Sequence, residues 1–123
     1  YYKEVELYWL SRIISAESRG EPLRGKIAVG NVVLNRAEHK DFPATIYGVI
    51  FDDRWGGQFE PVSNGTVYQT PTEESVLAAR LVLDGADMAG ESLYFLAPAL
   101  TNNHWIMENK TFVMRIGAHW FYR

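Results

Sequence analysis

A helix-dominated α+β domain is what this 123-residue sequence predicts, on three observations. Two long segments in the first third carry apolar side chains at helical spacing. A third helix is opened by a threonine–proline signal near residue 70. Short strand-like runs are confined to the last third and make a small β-sheet. The length fits a single domain, 1–123, with a core that needs no disulfide or metal staple.

Residues 4–18 place Val5, Tyr8, Trp9, Ile13 and Ala16 on one stripe, which Leu10 and Ile14 widen into the face of a largely buried helix. Gly20 then reads as a left-handed terminator and Pro22 as the first position of the next helix. That second helix, KIAVGNVVLNRAEH, is apolar through Ile27, Val29, Val32, Val33 and Leu34, so it belongs at the centre of the fold. Asp41-Phe42-Pro43 ends it, and ATIYGVIF reads as a short packed helix. Residues 52–70 hold three glycines and a proline and read as a long irregular segment, a type of loop that is often functional. A hairpin around Ser63-Asn64-Gly65 is one option there. Thr70-Pro71-Thr72-Glu73 reads as a capping box for a helix running through SVLAARLVLDG to Gly85. SLYFLAP reads as a buried strand, and residues 111–122 as one or two more. There are no repeats, low-complexity tracts or linkers.

Composition narrows the function. Hydrophobic residues are 47% and charged residues 22%, the profile of an ordinary globular protein. A net charge of −3 disfavours a nucleic-acid partner, which a basic surface would grip. No run of about 18 apolar residues exists to span a membrane. YYKEVELYWL lacks the basic start and apolar centre of a signal peptide, so an exported parent protein would carry its targeting segment elsewhere. With no cysteine, the chain has no disulfide, thiol nucleophile or cysteine-ligated zinc. Aromatics at 14% exceed what a small core usually needs; core filling accounts for most of them, and flat rings also suit flat ligands such as sugars or bases.

The stretch ISAESRGEP raises the question of catalysis. Glu17 falls in the last turn of an apolar helix, where burial and the negative end of the helix dipole both disfavour the carboxylate. A carboxylic acid protonated near neutral pH can act as a general acid, as glycosidic cleavage requires. The plain alternative is a solvated glutamate paired with Arg12 or Arg19. Glu21, four residues on, would stand roughly 5–6 Å from Glu17 on a continuous helix. Gly20 and Pro22 break that helix, which makes Glu21 structural support, accepting hydrogen bonds from amides that start the next helix. His39, His104 and His119 are scattered without metal-ligand spacing, so no metal or other cofactor is expected. No glycine-rich phosphate motif occurs.

Several motifs together resemble the SleB/CwlJ family of bacterial cell-wall hydrolases, whose members include spore cortex-lytic enzymes. Ala16, Glu17, Arg19, Gly20 and Glu21 fill an A-E-A-R-G-E pattern in which Ser18 replaces the second alanine. Val32 to Arg36 match a helix ending V-V-L-N-R. FPATIYGVIF, QFEPVSNG, LYFLAP and RIGAHWFY match four further family segments in order along almost the whole chain.

The resemblance implies a fold related to lysozyme-like lytic transglycosylases, with Glu17 at the family's catalytic position. Its implied reaction is cleavage between N-acetylmuramic acid and N-acetylglucosamine, with the muramic C6 hydroxyl closing on C1. Simple hydrolysis would call for a second carboxylate, with Asp52, Asp53 and Glu60 as candidates. Substrate contacts are expected from Gln58, Phe59, Asn64, Tyr94, Phe95, Trp105 and His119, with Trp55 a further platform; Phe95 departs from the family's second tyrosine. The expected partner is the peptidoglycan glycan strand, alongside a separate wall-binding domain in the parent protein. The expected location is outside the cell, in the envelope or spore. A non-catalytic wall-binding module and a zinc amidase cutting the peptide stem remain the alternatives.

Overall fold

Residues 2–54, 59–101 and 104–123 are described by the structure, a computed structural model. In chain order the elements are helices α1 (Tyr2–Ser18), α2 (Leu23–Ala37), α3 (Ile46–Ile50), α4 (Glu60–Asn64) and α5 (Glu73–Leu83). Strand β1 (Tyr94–Leu96), helix α6 (Trp105–Asn109) and strands β2 (Phe112–Ile116) and β3 (His119–Tyr122) follow. The helix-rich α+β class is therefore as the sequence predicts.

Leu10, Ile13 and Ile14 of α1 are fully buried, and so are Ala28, Val29, Val32 and Val33 of α2. Together with Ala78, Ala79 and Val82 of α5 they make a three-helix core in which α2 is central. The helices meet at Gly30, where an added Cβ would stand 2.9 Å from both Ile14 Cδ1 and Val82 Cγ2. That space is already filled by neighbours, so only a residue without a side chain lets the three backbones approach.

The strands form one antiparallel sheet in the order β1-β3-β2. Tyr94 pairs with Tyr122, Phe95 with Phe121 and Leu96 with Trp120; on the other edge Ile116 pairs with His119. Phe121 and Ile116 turn inward and join the helical core.

Several local expectations shift by a residue or two. Gly20 has no positive φ and does not end α1 in the left-handed region. Pro22 is the N-cap of α2 rather than its first residue, and its carbonyl accepts from Gly25 N at 2.9 Å and Lys26 N at 3.1 Å. The cap of α5 is Thr72, whose side chain accepts from Ser75 N, so the capping role lies two residues beyond Thr70. No hairpin forms at Ser63-Asn64-Gly65. Those residues end α4, with Gly65 at φ +84° and a 3-10 turn at Thr66–Tyr68 following, so part of the segment expected to be irregular is helical.

Candidate active site

Glu17 is the penultimate residue of α1, and the turn that follows it is tightly held. Ser18 is buried, and its hydroxyl donates to Ile14 O at 2.6 Å, so the family's alanine space accommodates a serine whose polar atom is satisfied. Lys26, only 3% exposed, donates its ammonium to the carbonyls of Arg19 and Glu21 and forms an ion pair with Glu74 of α5 at 3.0 Å. A buried ammonium is tolerated here because acceptors surround it. It ties the chain just past Glu17 to α2 and α5.

Glu17 itself is half-buried, and its carboxyl is raised from 4.5 to about 7. Burial is the main cause, the charge of Glu60 at the start of α4 adds to it, and Arg36 opposes both. At neutral pH the group is therefore divided between acid and carboxylate. A group so poised can give a proton in one step and take one in the next.

Arg36 carries a larger part of this site than the sequence reading assigned to it. It lies in the last turn of α2, is 4% exposed, and donates Nε–H to Leu93 O at 2.6 Å. Its guanidinium is 5.1, 5.2 and 5.3 Å from the ring centroids of Phe42, Phe59 and Tyr94. Burial lowers its pKa to about 10, against the favourable charges of Tyr94, Asp52 and Glu17, so it remains a cation at neutral pH. The signal in the sequence is a charge that follows the apolar stretch Val32-Val33-Leu34 of the central helix.

The candidate second carboxylates separate clearly. Asp52 is buried and gripped by Arg54, with Nε to Oδ1 at 2.9 Å and Nη2 to Oδ2 at 3.0 Å. Those hydrogen bonds hold its carboxyl below the usual range despite burial. Asp52 is thus a paired acid, not a solvated one. Asp53 is exposed, as is Glu60, whose charge Glu17 nevertheless feels.

The expected sugar contacts divide by strand geometry. Successive side chains on β1 point to opposite faces. Tyr94 faces Arg36 and Lys110, whose ammonium is 4.9 Å from the Tyr94 ring and 5.4 Å from that of Trp105. Trp105 is 54% exposed. The structure therefore brings Arg36, Tyr94, Lys110 and Trp105 into one row. Phe95 turns the other way, toward Phe59, His119 and Phe121. Phe59 is 4% exposed and part of the core, which leaves it no free face for a sugar; Phe95 also packs against that core. Asn64 is exposed, but its Oδ1 accepts from the amide and hydroxyl of Thr66 at 3.0 and 2.8 Å, a local turn contact. Gln58 and Trp55 lie outside the described residues.

Glu21 and His119 form a separate support. Glu21 does not cap α2. Its Oε1 accepts from Ala118 N at 3.0 Å, in the turn between β2 and β3. His119 is buried, with Nδ1 4.0 Å from the same oxygen and no hydrogen-bond partner among the described residues. Burial holds its pKa below the ordinary histidine value, opposed by Glu21. Gly117 in that turn has φ +57°, and an added Cβ would stand 2.1 Å from Glu21 Oε1. Gly117→Ala is accordingly expected to cost roughly 2–3 kcal/mol, from a left-handed alanine and a displaced hydrogen bond. Thermal melts of Gly117→Ala, Glu21→Ala and the double variant check this. The double should lose less than the two singles added together, since removing the carboxylate removes the clash.

Among the described residues no three His, Asp or Glu side chains gather as a metal-holding group. Surface depressions of about 270 and 390 Å³ lie elsewhere, beside Lys3 and Asp84 and beside His39 and Glu91, and neither includes Glu17.

Comparison with known proteins identifies the family and the fold. A family model described as cell wall hydrolase matches residues 20–122, beginning just past Glu17. The spore cortex-lytic enzyme of Bacillus cereus is 35% identical over 120 residues, covering 98% of this chain and 45% of that protein. The cell wall hydrolase CwlJ of Oceanobacillus iheyensis is 32% identical over 98% of this chain and 88% of its own length. The chain thus spans under half of the spore cortex-lytic enzyme it matches. Among solved structures, the catalytic domain of the germination-specific lytic transglycosylase SleB from Bacillus anthracis superposes with a TM-score of 0.86 at 35% identity. That likeness covers 96% of this chain and 93% of that one. With its sequence matched to the family from Gly20 to Tyr122 and its helices and sheet arranged as in that catalytic domain, the chain belongs to the cell wall hydrolase family.

Proposed function

We propose that residues 1–123 are a peptidoglycan-cleaving domain that acts as a lytic transglycosylase on the bond between N-acetylmuramic acid and N-acetylglucosamine. The observation that carries this reading is the Glu17 carboxyl, raised to about 7 at the end of a buried helix beside Arg36. The likeness to the Bacillus anthracis catalytic domain, a germination-specific lytic transglycosylase, supports it. Glu17 in its acid form protonates the glycosidic oxygen as the C1–O bond breaks. The resulting carboxylate takes the proton of the muramic C6 hydroxyl, whose oxygen bonds to C1 and closes a 1,6-anhydro ring. The proton returns to Glu17 and no water is consumed, so one carboxylate suffices. Tyr94, Lys110 and Trp105 flank the strand, with Lys110 suited to the acidic peptide stems. The glycan is that of spore cortex, the site of action is the spore or cell envelope, and wall attachment belongs to a further domain of the parent protein.

Mass spectrometry of the fragments released from spore cortex and from vegetative wall tests the reaction. Products lighter by one water than their hydrolytic counterparts are expected from cortex. If every fragment carried a free reducing end, transglycosylation would be wrong. Release of stem peptides that stops with a chelator would mark an amidase instead.

A hydrolytic variant of the same cleavage has one observation in its favour, the charge of Glu60 acting on Glu17. Glu60→Gln separates the two. In a transglycosylase this change only lowers the Glu17 pKa, so the alkaline decline of the pH–rate profile moves to lower pH. In a hydrolase that uses Glu60 to activate water, turnover itself collapses.

A further inference from the structure

A second group of aromatic side chains gathers about the middle of α1, with members from α3 and the Thr66–Tyr68 turn. Trp9 is at its centre, with the rings of Tyr8, Tyr47, Phe51 and Tyr68 at 4.9, 5.4, 5.2 and 6.2 Å. Packing of α1 on α3 accounts for Trp9 and Phe51, which are half-buried against the core. It does not account for the tyrosines. Tyr8, Tyr47 and Tyr68 are 49%, 51% and 60% exposed, and clustered exposed rings mark a surface that meets something.

The arrangement of the rings indicates what that is. Tyr47 stacks on Phe51 at 4.5 Å with 29° between planes and is still half exposed. Tyr8 is covered on one side by the Arg12 guanidinium, 3.7 Å from its centroid, whereas Tyr68 is the most exposed of the three. Each exposed member combines a flat apolar face with a hydroxyl. That pair of groups fits a pyranose ring, which has an apolar C–H face and a polar rim.

The patch is also continuous with the site. Eight residues of α1 separate Trp9 from Glu17, about 12 Å along the axis. Phe51 leads directly into Asp52, and the Tyr68 turn follows α4, which begins at Glu60. We propose that Tyr47 and Tyr68, braced by Trp9, form a second platform that holds N-acetylated sugar rings of the glycan strand away from the bond being cut. This rests on the peptidoglycan reading given above. Its effect is to raise the local concentration of a long strand at Glu17 without touching the reacting atoms.

Tyr47→Ala/Tyr68→Ala, made in the whole chain, tests the platform. Cleavage efficiency on intact sacculi should fall roughly tenfold, while turnover of a short disaccharide-repeat fragment stays unchanged. In a Glu17→Gln background, the Trp9 indole N–H signal should shift on titration with chitohexaose, and the shift should vanish in the double variant. Equal loss on long and short substrates with a lowered melting temperature would mean that the tyrosines only pack, and the proposal would be wrong. So would undiminished binding, or a wild-type dimer that becomes a monomer in the variant. Tyr68→Ala alone, at the most exposed ring, gives the same readouts should the double variant not fold. A wild-type protein that releases nothing from sacculi would overturn the enzymatic reading, whereas the chitohexaose titration still decides the platform.

Discussion

Glu17→Gln is expected to lower the release of fragments from peptidoglycan by roughly 10²–10⁴-fold, the usual worth of a positioned acid–base group, with the fold intact. Glutamine keeps the shape and loses the proton. The same substitution should make the protein more stable above neutral pH. The folded pKa of Glu17, about 7, lies above its unfolded value of 4.5, so folding favours the protonated form. This contribution is fully present below pH 4.5 and is lost as pH rises through about 7. The difference between the two pKa values corresponds to about 3 kcal/mol, or a melting shift on the order of 10 °C. Melts of both proteins at pH 5 and pH 8 should therefore diverge at the higher pH, where the wild type holds an unfavourable buried charge. Wild-type turnover should fall over the same range as the acid is titrated away. Identical stability differences at both pH values would sink the raised pKa, and full activity in the glutamine variant would sink the site.

The features legible in the sequence are those that depend on neighbours along the chain. Leu10, Ile13 and Ile14 announce the buried face of α1 by their spacing, and the largely apolar run of α2 announces a helix at the centre of the fold. Together they place Glu17 at a helix end. Caps are less legible, because threonine and proline qualify as cap or first-turn residues at neighbouring positions. Which one is used depends on where the first paired carbonyl falls. Asn64-Gly65 is ambiguous for a similar reason, since a glycine in the left-handed region serves a hairpin and a helix end alike. The assignment of Tyr94 and Phe95 to one sugar site overlooks the two-residue period of the strand they were placed on.

The supports of the site are hidden by distance. Glu21 reaches Ala118, 97 residues away, and Arg36 reaches Leu93, 57 residues away. Neither partner is implied by local spacing. The buried Arg36 shows only as a charge that follows an apolar stretch, and the sequence carries no indication of which groups satisfy it.

Arg36→Met is expected to change two properties in ways that Arg36→Lys separates. Methionine fills much of the volume but leaves Leu93 O without its charged donor and the Phe42 and Phe59 rings without a cation, while Tyr94 keeps only Lys110. The cost should be about 2–3 kcal/mol, close to that of one buried charge-assisted hydrogen bond lost. It is held to that size because removing a desolvated guanidinium recovers part of its own burial penalty. Lysine should lose nearly as much stability, since a point ammonium reproduces neither the planar Nε contact nor stacking among three rings. The pH profile should behave differently. Arg36 opposes the rise of the Glu17 pKa, so methionine removes that restraint and moves the alkaline decline of activity to higher pH. Lysine keeps the charge and should leave the decline near its wild-type position. Thermal melts and pH–rate profiles of the two variants read these effects independently. If lysine and methionine moved the profile alike, Arg36 would act on Glu17 through packing alone, not through its charge.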